Sequence, residues 1–96
     1  MSESQTEIEA AVFRQLLAHL DKHKDDVQNI ELMITADFCR NCLAKWYVSA
    51  AEKKDISISY DEAREMIYGM PYSEWKTKFQ KEITPEQKEK FDKRKT

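Results

Sequence analysis

In 96 residues this chain carries one glycine, Gly69, and two prolines, Pro71 and Pro85. A β-sandwich or barrel needs a turn signal about every 8 to 12 residues, and three breakers clustered in the second half cannot supply that. Helices joined by short loops close their hydrogen bonds within each segment and need few such residues. The abundance of Ala, Glu, Lys, Gln and Leu suits them. The expectation is therefore an all-α fold, a compact bundle of five to six short helices. A chain of this length has room for one core, so residues 1–96 read as a single helical domain with residues 1–5 and 90–96 frayed.

Apolar residues are 41% of the chain and charged residues 35%, enough for amphipathic helices and too apolar for a disordered tail. No run approaches the ~18 consecutive apolar residues of a membrane span, and Met1 to Gln5 is polar where a secretory signal is basic and then apolar. Two cysteines three apart would close only a tiny loop. Together these features predict a cytoplasmic protein with reduced thiols and no membrane partner. The net charge of -2 is unevenly spread, with eight Lys/Arg against four Asp/Glu from Lys76 onward. Glu82, Glu86, Glu89 and Asp92 interrupt that basic tail, so a solvated helix explains it better than a nucleic-acid arm.

Local signals place the helices. Thr6-Glu7-Ile8-Glu9 reads as a capping box, with apolar residues recurring from Ile8 to Leu20 on a helix from Thr6 to about His23. Lys24-Asp25-Asp26 offers an Asp cap to a second segment carrying Val27, Ile30, Leu32, Met33 and Ile34. That segment either runs on to about Lys53, or Thr35 caps a fresh helix. From Phe38 to Ala51 the residues Phe38, Cys39, Cys42, Leu43, Trp46 and Ala50 share one helical side, which predicts a buried face. Asp55 to Ser59 reads as a loop or a brief extended stretch. Ser59-Tyr60-Asp61-Glu62 caps a short helix that Gly69 ends, Pro71 suits the first turn of the next, and Tyr72, Trp75, Phe79 and Ile83 form an aromatic and aliphatic stripe. Thr84-Pro85-Glu86-Gln87 caps a final polar helix. The aromatic stripe reads first as packing and second as an oligomer interface or ligand wall.

Two groups could carry chemistry. Cys39 and Cys42, at i and i+3, share a helix face and can meet a common metal ion or form one disulfide. His19 and His23, at i and i+4, share a face of the first helix. Two thiolates and two imidazoles from two helices make a tetrahedral donor set for structural zinc, so Cys39, Cys42, His19 and His23 are the candidate metal ligands. The plainer reading makes the cysteines small buried hydrophobes and His23 a residue favoured near a helix carboxyl end. Thiol-redox chemistry needs a thiolate at a helix N-terminus. A cap at Thr35, with Arg40 adjacent, would bring Cys39 near one. No glycine-rich phosphate loop, nucleophile elbow or His-Glu-x-x-His helix is present, and no catalytic residue is assigned.

Longer stretches carry a resemblance: Asp26 to Met33, Phe38 to Tyr47 with its Cys-Arg-Asn-Cys segment, Tyr60 to Glu65, and Ile67 to Lys76 with Tyr-Gly-Met-Pro-Tyr. Over about Phe13 to Phe79 the chain resembles small proteobacterial proteins of the domain-of-unknown-function family twelve-forty-four. The resemblance implies a compact helical, stand-alone cytosolic protein, treats the Cys39–Cys42 and Tyr68–Tyr72 segments as signatures, and fits His19. It implies no activity. The leading functional expectation is a non-catalytic helical binding or interaction module that self-associates, followed by a Cys/His metal-binding protein and a thiol-redox enzyme.

Overall fold

The computed structural model describes residues 3–95. Among them are six helices and no strand: α1 (Glu3–Lys22), α2 (Asn29–Ala36), α3 (Arg40–Glu52), α4 (Tyr60–Tyr68), α5 (Tyr72–Phe79) and α6 (Pro85–Lys95). The all-α class expected from the scarcity of turn residues is the observed one. The core gathers Leu20 of α1, Leu43 and Ala44 of α3, and Ala63 and Ile67 of α4, with Phe13, Leu16, Leu17, Leu32 and Phe38 packed around them. Small residues at Ala44 and Ala63 let α3 and α4 approach closely, and these two helices share the most extensive interface; α2 packs on α6 and α5 on α4.

Helix boundaries follow local chemistry where a cap is present. Ser59 Oγ accepts the Glu62 N–H at 3.1 Å while the Glu62 carboxylate accepts the Ser59 N–H at 3.1 Å, the reciprocal box expected at the start of α4. Thr84 and Gln87 make the same pair of bonds, at 2.9 and 3.1 Å, before α6. Gly69 ends α4 at φ 75°, a left-handed conformation that costs glycine nothing.

Other boundaries differ from the expectation. The chain is already helical at Glu3, so Thr6 lies inside α1 and begins nothing. Gln28, not Asp25 or Asp26, stands before α2, and the Glu31 carboxylate accepts its N–H at 3.0 Å. Pro71 sits one residue before α5, and Ile83 lies beyond that helix in the linker. The long segment through Thr35 does break, but at Asp37, left-handed at φ 59°, with Thr35 in the last turn of α2. Arg94 of α6 reaches across to donate to Ile34 O at 3.1 Å, satisfying one of the carbonyls that this stop leaves open.

The face α3 buries also differs. Arg40, Leu43, Ala44 and Ala51 point inward, whereas Trp46 is 58% exposed and stacks on Phe38 with ring centroids 6.3 Å apart. The helix starts at Arg40 instead of Phe38, and an arginine takes the interior that an amphipathic reading reserves for tryptophan. The placement rests on hydrogen bonds from the guanidinium to Leu20 O and Asn29 Oδ1.

Only the second half of α1 joins the core. Residues 3–9 are exposed, and Ile8 and Val12 are 65% and 64% exposed. The radius of gyration is 15.0 Å, against about 12 to 13 Å for a globular chain of this length, as a partly standing helix requires.

Candidate functional site

Cys39 is the residue immediately before α3, with extended backbone at φ -144°, and Cys42 lies one turn on. Both are reduced, and their sulfurs are 3.8 Å apart, so the i, i+3 spacing does bring the thiols together. A position at a helix start favours a thiolate. Burial wins here, pushing the Cys39 thiol up; the backbone N–H groups of Cys42 and Asn41 lower it less. The Arg40 guanidinium spends its hydrogen bonds on Asn29 Oδ1 and Leu20 O. At Cys39 the start of a helix and burial therefore act in opposite directions, and burial is the larger.

His19 and His23 also lie together, ring centroids 4.8 Å apart in an edge-on arrangement, and His23 Nδ1 contacts the Asp26 carboxylate at 3.2 Å. That contact holds Asp26 below the usual carboxylate range. The two pairs do not combine. Among the described residues no three His, Cys, Asp or Glu side chains are grouped so as to hold a metal ion.

The principal polar feature is instead Arg40, only 2% exposed. Its guanidinium donates to Leu20 O at 3.1 Å, a carbonyl in the last turn of α1, and to Asn29 Oδ1 at 3.1 Å; its backbone N–H donates to the same oxygen at 3.2 Å. The guanidinium carbon lies 5.2 Å from the centroid of Trp75, itself 1% exposed and ringed by Tyr68, Tyr72 and Phe79. No carboxylate lies within ion-pair distance of Arg40 among the described residues, and burial lowers its pKa. One cation thus joins α1, α2, α3 and α5 through neutral acceptors and a ring face, meeting the requirement that a buried charge be hydrogen-bonded.

The network continues outward. Asn29 Nδ2 donates to Tyr68 Oη at 3.0 Å, and Tyr68 Oη donates to Asn41 Oδ1 at 2.7 Å. Burial raises the Tyr68 pKa strongly, so the phenol stays neutral and keeps its proton. Gln28, also buried, donates to Phe79 O at 3.0 Å and accepts the Lys81 N–H at 2.8 Å, fastening the linker after α5 to the start of α2. Asn41 opens onto a cleft of about 320 Å³ between α2, that linker and α6, within the usual range for small-molecule sites and near its lower end.

The sequence marked the aromatic stripe of α5 as packing, and Tyr72, Trp75 and Phe79 do pack together. It did not mark Asn29, Arg40 or Asn41 as members of one network.

Fold and site together define a small all-α protein organised around a buried arginine that has no ion-pair partner among the described residues. The chain belongs to the family described as "Protein of unknown function (DUF1244)", whose model matches residues 27–93. That match takes in Gln28, Asn29, the Cys39–Cys42 segment, Tyr68, Trp75 and the cleft, while His19, His23 and all of α1 lie before it. No curated protein is similar enough to the chain to count as a match.

Proposed function

We propose that the protein is a non-catalytic helical interaction module that self-associates through the first half of α1. The observation that carries this reading is the standing helix, in which Ile8 and Val12, one turn apart on one face, are both about two-thirds exposed. An isolated helix end of this length is marginal in water, and apolar residues on one face of it favour a second surface to cover them.

Charge supports a second copy as the occupant. Glu3, Glu7 and Glu9 make the beginning of α1 acidic without a balancing base, whereas Arg14 and Lys22 outnumber Asp21 in its remainder. Two such helices running antiparallel about a two-fold axis near Val12 set the acidic half of each beside the basic half of the other. Opposed helix dipoles add to the match.

Sedimentation over a wide concentration range tests the reading. Wild-type protein is expected to show a reversible monomer–dimer equilibrium, and the double substitution Ile8→Glu, Val12→Glu to be monomeric with the helicity and thermal stability of the wild-type monomer at high dilution, since neither residue joins the core. A strict monomer at every concentration overturns self-association.

A further inference from the structure

The cleft beside Asn41 has a polarity set from within the core. Arg40 can only donate, so Asn29 must turn its oxygen toward the guanidinium and its N–H₂ toward Tyr68. Tyr68 Oη, already accepting that bond, places its single proton on Asn41 Oδ1. The amide orientations are thus dictated by the cation at the head of the chain and are not free to flip. With its oxygen taken, Asn41 has its amide N–H groups left to offer to the cleft it lines.

A second amide repeats the pattern. Tyr72 Oη donates to Gln80 Oε1 at 3.1 Å, so Gln80, another lining residue, also retains its N–H groups. Among the described residues Lys81 is the one ionised residue of the lining; its ammonium donates to Asp25 O at 2.8 Å, leaving two protons. Asp26, which feels the Lys81 charge, is paired with His23 and is not part of the lining. The same lining includes the apolar side chains Ile30, Met33, Ile83 and Phe91.

We propose that this cleft binds a small aliphatic monocarboxylate, its carboxylate held by Asn41, Gln80 and Lys81 and its chain laid against Ile30, Met33, Ile83 and Phe91. Donors without a lining carboxylate select an acceptor-rich anion, a single ammonium suits a single negative charge, and the apolar wall suits an unbranched tail. The volume limits the ligand to a short or medium chain. None of these residues belongs to α1, so this site stands or falls separately from self-association.

Calorimetric titration of the full chain with octanoate, 1-octanol and octylamine provides the test. Octanoate is expected to bind saturably at one site per chain, roughly tenfold more tightly than octanol, the scale of one charge-assisted hydrogen bond, while octylamine shows no binding. Asn41→Asp still accepts from Tyr68 but puts a negative charge where donors stood, and should remove octanoate binding. Lys81→Met alters an exposed side chain, keeps the backbone bond to Gln28, and folds whatever the fate of the first variant. It should lower octanoate affinity about tenfold and leave octanol unchanged. Absence of octanoate binding, equal binding of octanoate and octanol, or a preference unaffected by Lys81→Met overturns the proposal.

Discussion

Two arginines in this protein lie over aromatic rings, and their surroundings are otherwise opposite. Arg40 is buried, has no ion-pair partner among the described residues, and gives its guanidinium protons to a backbone carbonyl and an amide oxygen. Arg64 of α4 is one-fifth exposed, sits 4.4 and 4.3 Å from the Tyr60 and Tyr72 ring centroids, and pairs with Asp61 at 2.6 Å. Burial lowers the pKa of Arg40, whereas the bond that Arg64 donates to Asp61 raises that of Arg64. By the habit of counting ion pairs, Arg64 is the more valuable residue. Accounting for what each removal leaves behind reverses that order. Loss of Arg40 strands acceptors in the core, while loss of Arg64 exposes groups that water already reaches.

The largest effect is expected for Arg40→Met, which keeps most of the stem and removes every side-chain donor. Asn29 Oδ1 keeps only its backbone bond, Leu20 O only the His23 N–H at 3.1 Å, and Trp75 loses its cation. Relief of the buried charge offsets part of this loss. The expected net destabilisation is about 3 kcal/mol, a fall in Tm on the order of 15 °C, read by thermal melting followed by circular dichroism. A methionine variant as stable as the wild type would show that the core needs no cation here. Arg40→Lys should recover little, because one ammonium cannot reproduce the fork that reaches both Leu20 O and Asn29.

Tyr68→Phe examines the middle of the same network with a smaller effect. The ring keeps its packing against Trp75, 4.7 Å between centroids, and only the hydroxyl goes. Asn29 Nδ2 and Asn41 Oδ1 then lose a shared partner. Both groups are only part-buried, and Asn41 borders the cleft, so water can take up some of the deficit. A cost of about 1 to 2 kcal/mol in urea denaturation is expected, clearly less than for Arg40. A cost equal to that of Arg40→Met would mean the network fails as one unit, and the gradient from core to cleft would be lost.

How far this architecture can be read from sequence depends on the reach of each interaction. Ser59 with Glu62, Thr84 with Gln87, and Gly69 act within four residues, and each marked its boundary correctly. Thr6 has the same local pattern as Ser59 but lies within a helix that starts earlier, so a cap motif is necessary and not sufficient. Asp37 stops α2 in a left-handed conformation that aspartate adopts only at some cost, so its sequence signal is weak. Arg40 was unreadable as a core residue because its partners lie 11 and 20 positions away. Turning Arg40 inward then carried Trp46 outward. For the thiols, spacing disclosed their proximity, but the burial that raises the Cys39 pKa is a tertiary property.

The smallest effect belongs to Arg64→Met, although two rings and a short ion pair surround that side chain. Arg64 Nε is buried with no hydrogen-bond partner, a desolvation cost that the native residue already carries and the methionine removes. Asp61 is largely exposed, so its release into water costs little, and the ion pair is screened by salt. The two ring contacts are worth about 0.5 to 1 kcal/mol each at a partly exposed site, and the methionine retains some of that packing. These opposing contributions leave an expected loss of at most about 1 kcal/mol in urea denaturation, shrinking further as sodium chloride is raised. A loss above about 2 kcal/mol that salt does not diminish would place Arg64 beside Arg40 as a structural cation. The contrast between neutral-acceptor burial and surface pairing would then fail.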